Sequence, residues 1–323
     1  MEKLEKLDKL LRNGVSRRTF LAGAGVSAGT AAVATLAAGC GSSKVTATPG
    51  PTTAPVGSFT DADILNFALN LEYLEAEFYS RAVFGTGLSS ADIGGSPGAV
   101  TGGAQVSFIT PTLLAYATEI ANDEIAHVRF LRSALGSAAV SRPAIDFTNG
   151  FAALGTAAKL AIGAGFNPFL GEAIFLVGAF TFEDVGVTAY HGAAGLITNK
   201  TYLGAAAGIM ATEAYHAALL RSSLSYLGNP YLTYADQISA ARGAVSMSAS
   251  ATAITAEVPP SGPMGGPPIT IVPADANSIA FDRTTDEVLR IVYLTAQTTP
   301  AAPVGKGGFF PNGLNGTITL TTT

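Results

Sequence analysis

Two stretches of this chain repeat a short pattern of groups able to bind a cation. Residues 122–136 read NDEIAHVRFLRSALG, and residues 211–225 read ATEAYHAALLRSSLS. Each places a Glu three residues before a His: Glu124 and His127, then Glu213 and His216. Arg132 and Arg221 follow at matching positions, and Leu131 and Leu135 fall on Leu220 and Leu224. Three residues along an α-helix turn through about 300°, so each Glu and His project from one face, a turn apart. The chain has only three histidines, and two of them occupy this repeated setting.

A second pattern lies upstream of each copy. Glu72 precedes Tyr79 by seven residues in EYLEAEFY, and Glu183 precedes Tyr190 by seven in EDVGVTAY. Seven residues are about two helical turns, so each tyrosine shares its glutamate's face. A single Glu-x-x-His is an ordinary solvated pair. Two copies, each with an in-register Glu and Tyr on the preceding helix, make an internal duplication.

The chemistry that needs this set is a dinuclear metal site. One Glu from each of two helices and one Glu-x-x-His from each of two others supply six inward ligands. The expected ligands are Glu72, Glu124, His127, Glu183, Glu213 and His216. Bridging carboxylates with one imidazole per metal suit two Fe or two Mn ions, iron ahead of manganese. Ala, Leu, Ile and Phe surround these acids, and a buried carboxylate without compensation is costly. Tyr79 and Tyr190 are expected as outer donors to the carboxylates, and Glu75, about 60° from Glu72, as an outer acid or alternative ligand. The other polar residues have plainer readings. Glu77 and Glu119 read as solvated acids, Glu172 as a first-turn acid on a helix dipole, and His191 as a polar rim residue. Arg132 and Arg221 either balance the acid cluster or are helix-end cations.

Four long helices must position these groups. The first starts at a cap on Thr60 or Asp61 and stops at Gly85; the second runs from Pro111 to Leu135, with Gly136 as its stop. Asn167-Pro168 is expected to open the third, which continues to about residue 197. The fourth runs from about Tyr202 to Leu227. A short helix near 151–163, a weaker fifth helix at 231–250 and a helical TTDEVLRIVYLT in the tail complete the reading. The layout is all-α: a four-helix bundle with one long crossover between its second and third helices, plus a Pro/Gly-rich C-terminal extension. The expected divisions are 1–40, 41–59, 60–254 and 255–323.

The N-terminal forty residues read as an export signal. A basic stretch ends in Arg17-Arg18, and an uncharged, mildly apolar run leads to Cys40, the only cysteine. SRRTFL resembles the twin-arginine motif. LAAGC resembles a lipobox, so Cys40 is either lipidated or a spectator beside an Ala-rich cleavage site. Residues 41–58, rich in Pro, Thr, Ser and Gly, read as a tether. The expected partners are the twin-arginine translocation machinery, a membrane lipid anchor through Cys40 and further copies of the chain in a homo-oligomer. The expected location is the periplasm or cell envelope. The 323 residues carry 18 Lys and Arg against 23 Asp and Glu. Removing residues 1–39 leaves 12 basic and 20 acidic residues, a net of −8. No basic stripe remains to follow a phosphate backbone, which argues against nucleic acid.

At these residues the chain resembles the ferritin-like superfamily of di-iron and di-manganese carboxylate bundles, over roughly 60–228. NLEYLEAEFY and GKGGFFPNGLNG resemble a narrower group, the ferritin-like proteins related to plant desiccation-related proteins. The resemblance implies the six ligands already named. It also implies redox chemistry, either ferrous iron oxidation or peroxide removal. The alternative is a non-catalytic stress or envelope protein in which any metal is structural. The cysteine pairs of a rubredoxin-like module are missing, so an electron donor would have to be external.

Overall fold

The computed structural model describes residues 59–246, 257–262, 269–295 and 305–318. The twin-arginine segment, Cys40 and almost all of the tether lie outside the described residues, as do 247–250 of the expected fifth helix.

Helix α1 (Asp61–Phe84) begins with a capping box in which Thr60 and Asp63 satisfy each other's backbone N–H groups, and it ends at Gly85. Helix α2 (Pro111–Leu135) starts with proline at its first position, where a missing N–H is harmless. The two are antiparallel. Asn66, early in α1, donates to Ala138 O just beyond the end of α2, while Ala82 O, late in α1, accepts from Val106 N ahead of α2.

The crossover from α2 is structured. A two-residue strand, β1 (Val100–Thr101), pairs in parallel with β2 (Ile145–Asp146), and Asp146 caps α3 (Phe147–Ala157) by accepting from Asn149 N. The expected opening of the third long helix at Asn167-Pro168 is corrected. Pro168–Leu170 is a 3-10 turn, extended Gly171 interrupts it, and α4 runs Glu172–Ala194. Glu172 is buried, and its carboxylate accepts from Ile109 N, Thr110 N and Thr110 Oγ1, tying the start of α4 to the start of α2. It is therefore more than an acid on a helix dipole. Asn199 caps α5 (Lys200–Leu227), and α6 (Tyr231–Ser246) and α7 (Thr285–Tyr293) follow.

The bundle pairs α1 with α2 and α4 with α5, with α1 against α4 at its centre. Helices α1 and α4 are buried on nearly every face, whereas α2 and α5 bury one face each. That explains their composition, since a helix apolar all round must be covered all round. Among the described residues α4 alone is long and apolar enough to cross a membrane, yet 89% of its most apolar window is buried inside the protein. The second covering layer comes from α3, α6, α7 and the C-terminal segment. Phe309 wedges between Phe151 and Phe182, with ring centroids 5.0 and 5.1 Å away. Gly150 makes this approach possible, because a Cβ there would strike the Phe309 ring.

Candidate metal centre

The register of α1 against α4 brings the two Glu–Tyr pairs together crosswise. Tyr79 Oη donates to Glu183 Oε1, and Tyr190 Oη donates to Glu72 Oε1, both as short buried bonds. Each tyrosine therefore holds the glutamate of the other repeat. Helices α2 and α5 add their Glu-x-x-His pairs from the opposite side.

The result is two overlapping clusters. Glu72, Glu124, His127 and Glu213 form one; Glu124, Glu183, Glu213 and His216 form the other, with the ligand atoms of each within 4.8 Å of one another. His127 Nδ1 lies 3.1 Å from Glu72, 3.4 Å from Glu124 and 3.5 Å from Glu213. His216 Nδ1 lies 3.2 Å from Glu124 and 3.3 Å from Glu183. Glu124 and Glu213 belong to both groups, as shared ligands would. All six expected residues converge, and the four acids are fully buried.

Electrostatics make the site unusual for a protein interior. Burial raises the Glu72 carboxyl, with Glu124 adding and His127 opposing, to about 7. Burial and the surrounding carboxylates raise Glu75 and Glu213 well above the ordinary carboxylate range. Burial also acts against ionised Glu124, but the two histidines beside it prevail and hold it at about 2. Burial disfavours the charged rings too, yet the acids beside them push His127 up to about 11 and His216 to about 12.

Whether these residues fit a pair of metal ions is decided by their unused atoms. Both oxygens of Glu124, both of Glu213, Glu183 Oε2 and His216 Nδ1 are buried without a hydrogen-bond partner. The imidazole nitrogens are within ion-pair distance of several of these oxygens but are not aligned for hydrogen bonds. Buried polar atoms are nearly always paired, so six orphans turned toward one centre call for cations. The charge count agrees. Two divalent ions neutralise the four ligand carboxylates when both rings are neutral and Glu75 is protonated. The clusters are consistent with a dinuclear metal site.

Two further residues outside the clusters need correction. Glu77 is fully buried between Arg81 and Arg142, because the crossover folds Arg142 onto it. Arg221 is neither a helix-end cation nor a counter-charge to the acid cluster; it is buried and grips Asp184 through two bonds of 2.9 and 2.7 Å. Arg132 stands in the last turn of α2, as a helix-end cation would, and donates to Tyr73 Oη. Glu119 is exposed and His191 sits near Phe281 O, as expected. Glu75 is buried among the acids without joining either ligand group. Sequence reasoning missed Asp123, which accepts from His216 Nε2 at 3.2 Å. Its signal was its position directly before Glu124, which puts it at the edge of the ligand face.

Fold and site together define a helical bundle with a buried carboxylate and histidine cluster. The chain belongs to the ferritin-like domain family, whose model matches residues 60–226. Among curated proteins it is similar to ferritin-like catalase Nec2 of Nesocodon mauritianus, with 28% identity over 80% of this chain and 84% of the relative. It is also similar to desiccation-related protein PCC13-62 of Craterostigma plantagineum, with 27% identity over 76% of this chain and 84% of that protein.

Proposed function

We propose that this protein holds two Fe or Mn ions on Glu72, Glu124, His127, Glu183, Glu213 and His216 and uses them to remove hydrogen peroxide. The observation that carries this reading is the set of six buried, unpartnered ligand atoms facing one centre. Similarity to a protein named as a ferritin-like catalase favours peroxide over ferrous iron. When bound, such a pair of ions supplies a two-electron couple that oxidises one peroxide to dioxygen and reduces a second to water.

The chain's own residues then have separate tasks. Tyr79 and Tyr190 fix the orientation of Glu183 and Glu72, so that each carboxylate keeps one oxygen directed inward. Glu75, its carboxyl raised well above the ordinary range by burial and the neighbouring carboxylates, lines an apolar cavity of about 20 Å³ bounded by Leu71, Leu74, Val185, Val292 and Phe309. That volume suits a molecule of one or two heavy atoms. A peroxide there meets the Glu75 carboxyl, Thr181, whose hydroxyl is already donated to Val177 O, and otherwise apolar walls.

Export is part of the proposal. The twin-arginine-like segment favours translocation of a folded protein, with metal acquired beforehand. Outside the cytoplasm copper and zinc would outcompete iron or manganese at these ligands.

Metal analysis and peroxide assays test the reading. Protein from its native compartment is expected to carry about two Fe or Mn per chain and to evolve dioxygen from peroxide. Glu124→Ala is expected to lower affinity for both ions by more than about 100-fold, beyond the loss typical of an outer-shell change. Metal without turnover would favour the rival reading, a stress or envelope protein braced by its metal. A folded native protein without metal would overturn the dinuclear reading and favour a stress or envelope protein that needs none.

A further inference from the structure

Resting on this metal reading, we propose that the two ion positions are unequal in affinity, and that Asp123 makes the position beside His216 the tighter one. The two repeats match at every ligand but differ in the residue ahead of the Glu. That residue is Asp123 in the first copy and Thr212 in the second.

The difference has a geometric consequence. His216 Nε2 donates to Asp123 Oδ2 at 3.2 Å, which turns Nδ1 inward toward Glu124 and Glu183. A carboxylate on the far nitrogen fixes the ring's tautomer and orientation and makes the inward nitrogen a better donor. His127 presents Nδ1 to its acids in the same way, but among the described residues no carboxylate stands on its far nitrogen. Thr212, where the repeat would put a carboxylate, instead donates its hydroxyl to Gly208 O at 3.3 Å within its own helix. One ring is therefore braced by an acid and the other is not. Asp123 acts through His216, as a positioning residue.

The test is stepwise loading of the metal-free full-length protein with Mn(II), followed by calorimetry and by the electron paramagnetic resonance of free Mn(II). Crystals given one equivalent locate the first ion by anomalous scattering. The first ion is expected beside His216. Asp123→Asn is expected to weaken that step about 10- to 100-fold and leave the second nearly unchanged. Thr212→Asp, the mirror variant, is expected to strengthen the second step. Circular dichroism confirms that each variant is folded. A first ion beside His127, an equal division, or an Asp123→Asn effect shared by both steps overturns the inference while leaving the dinuclear reading intact. Failure of the folded wild-type protein to take up either Mn(II) or Fe(II) overturns both.

Discussion

At the scale of single residues, the centre is governed by competition between burial and neighbouring charge. Burial alone would strip the protons from His127 and His216, but the surrounding glutamates hold them on well above neutral pH. A metal ion must displace those protons. Loading at pH 7 is therefore expected to release protons to the buffer, and affinity is expected to climb as pH rises. Calorimetry in buffers of different ionisation enthalpy reads this directly; a heat that does not vary with buffer would contradict it. The six clustered residues were legible in the sequence because a duplicated spacing is hard to obtain by accident. Glu77 was not, because its buried partner Arg142 lies 65 residues away on a crossover that no periodicity describes.

At the scale of elements, the close approach of α4 to the ligands can be tested at Gly186. A Cβ there would run into the Glu213 carboxylate, with Glu75 Oε1 3.5 Å away. Replacing a mid-helix glycine by alanine ordinarily stabilises a helix by about 1 kcal/mol. Here Gly186→Ala is expected to keep its helicity yet lose metal, which circular dichroism and metal analysis would separate. The grip of Arg221 and Arg242 on Asp184 joins α4, α5 and α6. Burial would raise the Asp184 carboxyl, but the two guanidinium groups outweigh it and hold it below its ordinary 3.8. Its contribution to stability is thus complete above pH 3.8 and fades as pH falls through the lower folded value. Arg221→Ala, which leaves buried Asp184 with Arg242 as its one remaining guanidinium among the described residues, is expected to cost about 3–5 kcal/mol in denaturant titrations. The four long helices were readable from their caps and apolar periodicity. The start of α4 was displaced because Asn167-Pro168 carries a strong opening signal that extended Gly171 cancels.

At the scale of the whole molecule, the C-terminal segment completes the hydrophobic core. Phe309 reaches the aromatic cluster around Phe151 and Phe182, and its N–H donates to Val292 O. Phe309→Ala is expected to destabilise the protein by about 3–5 kcal/mol in chemical denaturation; a loss under 1 kcal/mol would mean the segment only drapes over the surface. Composition marked this region as Pro/Gly-rich, but its role as a second layer over α1 and α4 could not be read from it. The hint was that both helices lack the polar face an outer bundle helix would show.

The bond from Asn70 to the last described stretch has a consequence for the order of biosynthesis. Asn70 exchanges two hydrogen bonds with the backbone of Asn315, 245 residues later. While the ribosome is still making the chain, α1 can meet α2 and then α4, but its outer surface stays bare until residues 305–318 emerge. The core thus closes only once this segment has been made, and a chain cut short before it keeps a greasy flank for chaperones or proteases to find.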